Sequence, residues 1–145
     1  LRGSIAQALL PTLRELALAK KSALAQPRIQ TAAVRVLGQI ARSNDAADAV
    51  SAAHVLAEVL GQGEPEVVLQ EAATMYVRIP PSRREAKPLF DSLLFHADPR
   101  LRLHVLQLAQ NPTGRSLLYP FALRKAAQDP DAFIQAATRN LTAKP

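Results

Sequence analysis

Four prolines, Pro27, Pro65, Pro99 and Pro130, each open an apolar segment, at successive intervals of 38, 34 and 31 residues. A proline suits the first turn of a helix, where its missing N–H would have no partner, and fits poorly farther in. The spacing therefore marks the starts of recurring helices. Three further prolines, Pro11, Pro88 and Pro120, lie inside the preceding apolar segments, the last two 11 and 10 residues ahead of the next opening proline. A recurring helix pair that cannot bury its apolar face alone must stack on its neighbours. The chain thus reads as an all-α protein, an α-solenoid of about four antiparallel helix pairs. These pairs are expected over about 4–42, 45–79, 82–110 and 113–142, in one domain spanning residues 1–145.

The local pattern supplies eight helices. Ile5, Leu9, Leu13 and Leu16 share a helical stripe running from about Ser4 into the Ala19–Ala25 region, and Leu10, Ala17 and Leu18 widen it until little of the helix is polar. Such a helix is expected to be covered on more than one side. Ile29, Ala33, Val36 and Ile40 form the stripe of the second helix, and Asn44 or Asp45 caps the third, which carries Val50, Ala53, Val55, Leu56, Val59 and Leu60 to a glycine stop at "GQG". The fourth runs from Pro65 through Val67, Val68, Ala72 and Met75 to Pro80-Pro81. Ser82 and Glu85 have the spacing of a capping box for the fifth, which continues through Leu89, Phe90, Leu93, Leu94 and Phe95. Leu101, Val105 and Leu108 mark the sixth, Leu117, Leu118, Phe121 and Leu123 the seventh, and Phe133, Ile134, Ala137 and Leu141 the eighth. Phe90, Phe95, Tyr119, Phe121 and Phe133 are expected in the core, whereas Tyr76, between Met75 and Arg78, is the aromatic least expected there.

The order of an apolar segment with an internal proline, a short turn, Asp-Pro and an alanine-rich second helix resembles the HEAT repeat. "AKPLFDSLLFHADPRLRLHVLQLA" and "LLYPFALRKAAQDPDAFIQAATRNL" carry it best, "LLPTLRELALAKKSALAQPRIQTAAVRVLGQIA" carries it with a lengthened turn, and the second pair lacks the internal proline. A basic residue frequent at the start of that family's second helix stands here at Arg102, whereas Gln30, Val68 and Phe133 occupy the equivalent places. The resemblance implies a right-handed superhelical stack and a role in holding other proteins. A tetratricopeptide array is the rival, since "ALRKAAQDPDAFIQAA" could join a second helix to the next first helix, but its 34-residue period fits one interval of the three.

Charge narrows the partner. The net charge is +6, yet residues 1–43 hold seven Lys/Arg against Glu15, residues 44–75 hold six acids and no Lys or Arg, and residues 76–145 hold eleven bases against five acids. A uniformly basic groove for a polyanion would not carry an acidic repeat in its middle. Arg28, Arg35 and Arg42 stand seven apart and form one stripe opposite the apolar face. Arg78, Arg83, Arg84 and Lys87 cluster about the start of the fifth helix, where the helix dipole gives cations no help. These seven residues are the candidate partner-binding set. The alternation Arg28, Glu66, Arg100, Asp131 after the opening prolines suggests a ladder of charges between repeats.

Other chemistry finds no support. Cysteine is absent, and His54, His96 and His104 share no helix at ligand spacing, so no metal site is read. The sequence holds no glycine-rich phosphate loop, nucleophile elbow or metalloprotease motif, and Asp98 has a capping task that removes it from any pair with Asp91. No apolar run approaches the length needed to span a bilayer. The reading is a soluble, non-enzymatic scaffold or adaptor with no cofactor, the cytoplasm being the favoured compartment. Its expected partner is a protein of acidic or mixed charge, with nucleic acid as the alternative. The chain starts at Leu1 rather than methionine, as an excised piece would, and the broad apolar surface of the first helix suits flanking repeats or self-association.

Overall fold

The computed structural model describes residues 2–18, 26–62, 65–84, 92–118 and 120–143. Among them are eight α-helices, one 3₁₀ turn and no strand. The helices are α1 (Arg2–Ala17), α2 (Pro27–Ala41), α3 (Ala46–Gly61), α4 (Glu66–Val77), α5 (Pro99–Leu108), α6 (Pro112–Arg115), α7 (Pro120–Ala126) and α8 (Ala132–Ala143). They fall into two units, Leu1–Glu85 and Ala86–Pro145.

In the first unit α2 packs on α1, α3 and α4, while α1 also packs on α3 and α3 on α4. Alanines permit this closeness: Ala33 and Ala41 of α2, Ala49, Ala52 and Ala53 of α3, and Ala72 and Ala73 of α4 are all buried, around Val34, Leu37, Leu56 and Leu69. Gly38 marks the tightest approach, because a β-carbon there would stand 2.5 Å from Met75 Sδ and 2.9 Å from its Cβ. Tyr76 is fully buried, against expectation. It occupies the inward position four residues after Ala72, and its neighbours in sequence say nothing about that face. The helix ends follow local rules. Asp45, rather than Asn44, caps α3 by accepting from the Asp48 N–H at 3.1 Å. Gly61, the last residue of α3, has no positive φ, and Gly63, the second glycine of the expected stop, lies outside the described residues. Pro11 lies inside α1, which is exposed at Leu9 and only half-buried at Leu10 and Leu16.

In the second unit α8 packs on α5 and α7. Asp98 caps α5 by accepting from the Arg100 N–H at 2.9 Å. Asp131 caps α8, accepting from the Phe133 N–H at 2.8 Å, so Pro130 lies before the cap rather than in the first helical turn as expected. The expected seventh helix is divided into α6 and α7, because Pro120 cannot donate the hydrogen bond that would continue a helix through it and instead opens a new one. Gly114 of α6 sits against the end of α5, where a β-carbon would fall 2.0 Å from the Leu108 carbonyl oxygen. Two aromatics expected in the core are outside it, Phe95 at 49% exposure and Phe133 at 80%. Phe133 lies in the first turn of α8, where Ile134 takes the inward position. Val36, Val50 and Val67 are also exposed, each on the outer edge of its stripe. The Ser82–Glu85 capping box, most of the fifth helix with Pro88, Leu89 and Phe90, the extension of the first helix over Ala19–Ala25, and Asp91 and Tyr119 lie outside the described residues. Ser82 itself belongs to the 3₁₀ turn Pro81–Arg83.

Candidate interaction surface

The helical drift of a seven-residue spacing decides where the arginines of α2 point. Seven residues fall about 20° short of two full turns, so Arg28, Arg35 and Arg42 step progressively away from the α1 side of the helix. Arg28 therefore stands about 40° from Ala32, and Arg42 about 80° from it. Between α1 and α2 lies an open groove of about 410 Å³, lined by Leu13 and Leu16 of α1 and Ile29, Ala32, Ala33 and Val36 of α2, with Gln26 and Arg28 its polar members. Arg28 is exposed at this groove, and Ala32 and Val36 are exposed within it.

The other candidates are placed differently. Arg35 is ion-paired to Glu71 of α4, so its charge ties α2 to α4. Arg42 is the exposed residue that ends α2, and Arg78 the exposed residue that ends α4. Arg83 reaches back 42 residues to donate to the Ala41 carbonyl at 3.0 Å and to the Ser43 carbonyl at 2.8 Å. It thereby covers the last carbonyls of α2, a structural task suited to a cation at a helix C-terminus. Arg84 is half-buried, and that burial lowers its guanidinium below the ordinary arginine range, with Tyr76 acting in the opposite direction. Lys87 lies outside the described residues. Arg14, not singled out from sequence, forks onto Glu58 of α3 at 3.0 and 2.7 Å and draws the Glu58 carboxyl below its usual range.

The second unit keeps its strongest electrostatics inside. Arg102 donates to Asp129 at 2.8 and 3.2 Å and to the His96 and Ala97 carbonyls at 2.7 and 3.2 Å. Asp129 also accepts from the Asp131 N–H at 2.9 Å. Both side chains are nearly buried, at 12% and 6% exposure. Arg102 carried a signal in the sequence through its place in the repeat, whereas Asp129 did not, because its Asp-Pro dipeptide looks like the capping one at Asp98-Pro99. Arg100 forks back onto Asp98, drawing that carboxyl down, rather than reaching outward.

Among the described residues no group of His, Cys, Asp or Glu could hold a metal ion, and no helix is long and apolar enough to cross a membrane. The α1–α2 groove is open, apolar and, among the described residues, provided with only two polar side chains, which suits contact with another surface better than enclosure of a small substrate. Comparison with protein-family models, with curated proteins and with solved structures finds no match to this chain.

Proposed function

We propose that this chain is a non-enzymatic protein-interaction scaffold or adaptor built of HEAT-like helix pairs, and that the outer face of α2 with the adjoining groove is its contact surface. The observation that carries the reading is the groove, which leaves apolar side chains of α1 and α2 in contact with solvent beside the exposed Arg28. Packing of α1 on α3 and of α2 on α4 supports a stacked arrangement of pairs, as does packing of α5 on α8, since each joins helices at the same place in successive pairs. Repeated stacking would present equivalent positions of the second helices side by side as a partner surface.

The test is affinity capture on the immobilised chain from its source lysate, with and without nuclease and at low and moderate salt. A defined protein retained through nuclease and moderate salt is the expected result. Loss of all captured material on nuclease treatment would overturn this reading in favour of nucleic-acid binding, whose affinity falls steeply with salt.

A further inference from the structure

Resting on that reading, we infer that the α1–α2 groove receives an acidic amphipathic helical segment of a partner protein, with its apolar side chains on the groove floor and a carboxylate at Arg28. Among the described residues the floor is aliphatic along both walls, without an aromatic ring on which a nucleic-acid base could stack. From Ile29 to Val36 it runs seven residues along α2, about 10 Å, or two helical turns. That length matches the i, i+3 or i+4, i+7 anchors by which one amphipathic helix lies between two others.

Charge selects the sign of the segment. Among the described residues no carboxylate lines the groove. Glu15, the single acid of residues 1–43, is exposed about 160° around α1 from Leu13. Arg28 stands at the groove, with exposed Arg42 farther along the same face, whereas Arg35 is neutralised by Glu71. A basic or neutral helix would leave this cationic edge without a counter-charge. A second copy of the chain docking groove to groove about a twofold axis would set Arg28 against Arg28, so complementarity favours a different molecule.

The experiment is selection of a random 12-residue peptide phage library on the full chain, followed by fluorescence anisotropy of the enriched peptides. The proteins compared are the wild type, Ala32→Glu, Arg28→Glu, Arg42→Glu and, as a charge-matched control in the second unit, Arg124→Glu. All four substituted positions are exposed in the folded chain, and circular dichroism checks that helicity is kept. The enriched peptides should combine apolar residues at i, i+3 or i+4 and i+7 with Asp or Glu. Their affinity should fall about tenfold or more with Ala32→Glu and about three- to tenfold with Arg28→Glu, and stay within about twofold with Arg124→Glu. Enriched peptides that are basic, or that bind Ala32→Glu as well as wild type, overturn the inference. If those peptides are instead lost with Arg42→Glu, the α2 face still serves as a contact surface while the groove does not. A library that yields no enriched sequence overturns the inference, as does a dimer in sedimentation velocity that Ala32→Glu dissolves, because the groove then holds a second copy.

Discussion

Gln30 in the first unit and Arg102 in the second occupy the same place in the repeat, three residues after the opening prolines Pro27 and Pro99. Both turn back to the carbonyls where the preceding segment ends. Gln30, 1% exposed, donates to the Ala17 carbonyl at 3.0 Å, and Arg102 donates to the His96 and Ala97 carbonyls. The difference lies in what each needs next. In the first unit α1, α2 and α3 are 15 or 16 residues long and interlock through alanines, so a neutral amide suffices at the joint. In the second, α5, α6 and α7 are only 10, 4 and 7 residues long. There Arg102 extends to Asp129 and fixes the entry to α8 as well. Residues at one spacing from an opening proline thus make a neutral joint among long helices and an ionic joint among short ones. The other two occupants, buried Val68 and exposed Phe133, leave the task altogether.

The largest test of this contrast is Arg102→Ala, which strands the Asp129 carboxylate in a nearly buried site. It should cost about 3–5 kcal/mol by chemical denaturation, as removal of one member of a buried pair does. Hydrogen exchange should place the loss in residues 99–143. Gln30→Ala should cost less, about 1–3 kcal/mol, for one buried carbonyl deprived of a donor. Equal costs for the two would break the comparison. Gly114→Ala sharpens it, since a β-carbon so close to the Leu108 carbonyl forces backbone to move, with an expected loss of about 1–3 kcal/mol from overpacking. At the small end, Arg35→Ala removes an exposed ion pair of the first unit and should change stability by about 0–1 kcal/mol.

Acid titration separates two aspartates at helix starts by sign. Asp98 is held below the usual carboxylate range by hydrogen bonds from the Arg100 side chain and backbone. Its folded value lies below its unfolded one, so its charge contributes stability above the ordinary aspartate value of about 3.9, lost as pH falls through the folded value. Asp48, in the first turn of α3, is raised by burial and then by Asp45. Its charge therefore opposes folding at neutral pH, and that opposition disappears as pH falls through the raised value. Thermal melts from about pH 7 to about pH 2 should show Asp98→Asn less stable than wild type at neutral pH and equal to it in acid. Asp48→Asn should be more stable at neutral pH, with the advantage fading on acidification. The same sign for both substitutions would contradict the assignment.

Much of this fold was legible in the chain because helix ends are local. Pro27 and Pro99 at the first helical position and the caps at Asp45 and Asp98 need only neighbours in sequence, and the structure places them as such, whereas Pro65 stands one residue and Pro130 two residues before the helix each was expected to open. Burial is not local. Tyr76 is the aromatic least expected in the core and Phe133 is spaced as a core residue, yet Tyr76 is fully buried and Phe133 is exposed. The candidate surface divides in the same way. That Arg28 lies nearer one side of α2 than Arg42 follows from helix geometry alone, but the capture of Arg35 by Glu71 and of Arg83 by the end of α2 depends on where helices distant in sequence come to rest.

Position, and not net charge, is what should make the proposed α2 face of the first unit a contact surface. Quantitative capture of partner by wild type, Arg28→Glu and Arg124→Glu, run side by side at fixed salt, tests it directly. Both variants lower the net charge equally, and both sites are exposed. Loss of partner with Arg28→Glu and retention with Arg124→Glu is the expected result. Equal loss with both would show that overall charge governs binding, and retention by both would remove the α2 face from the interface.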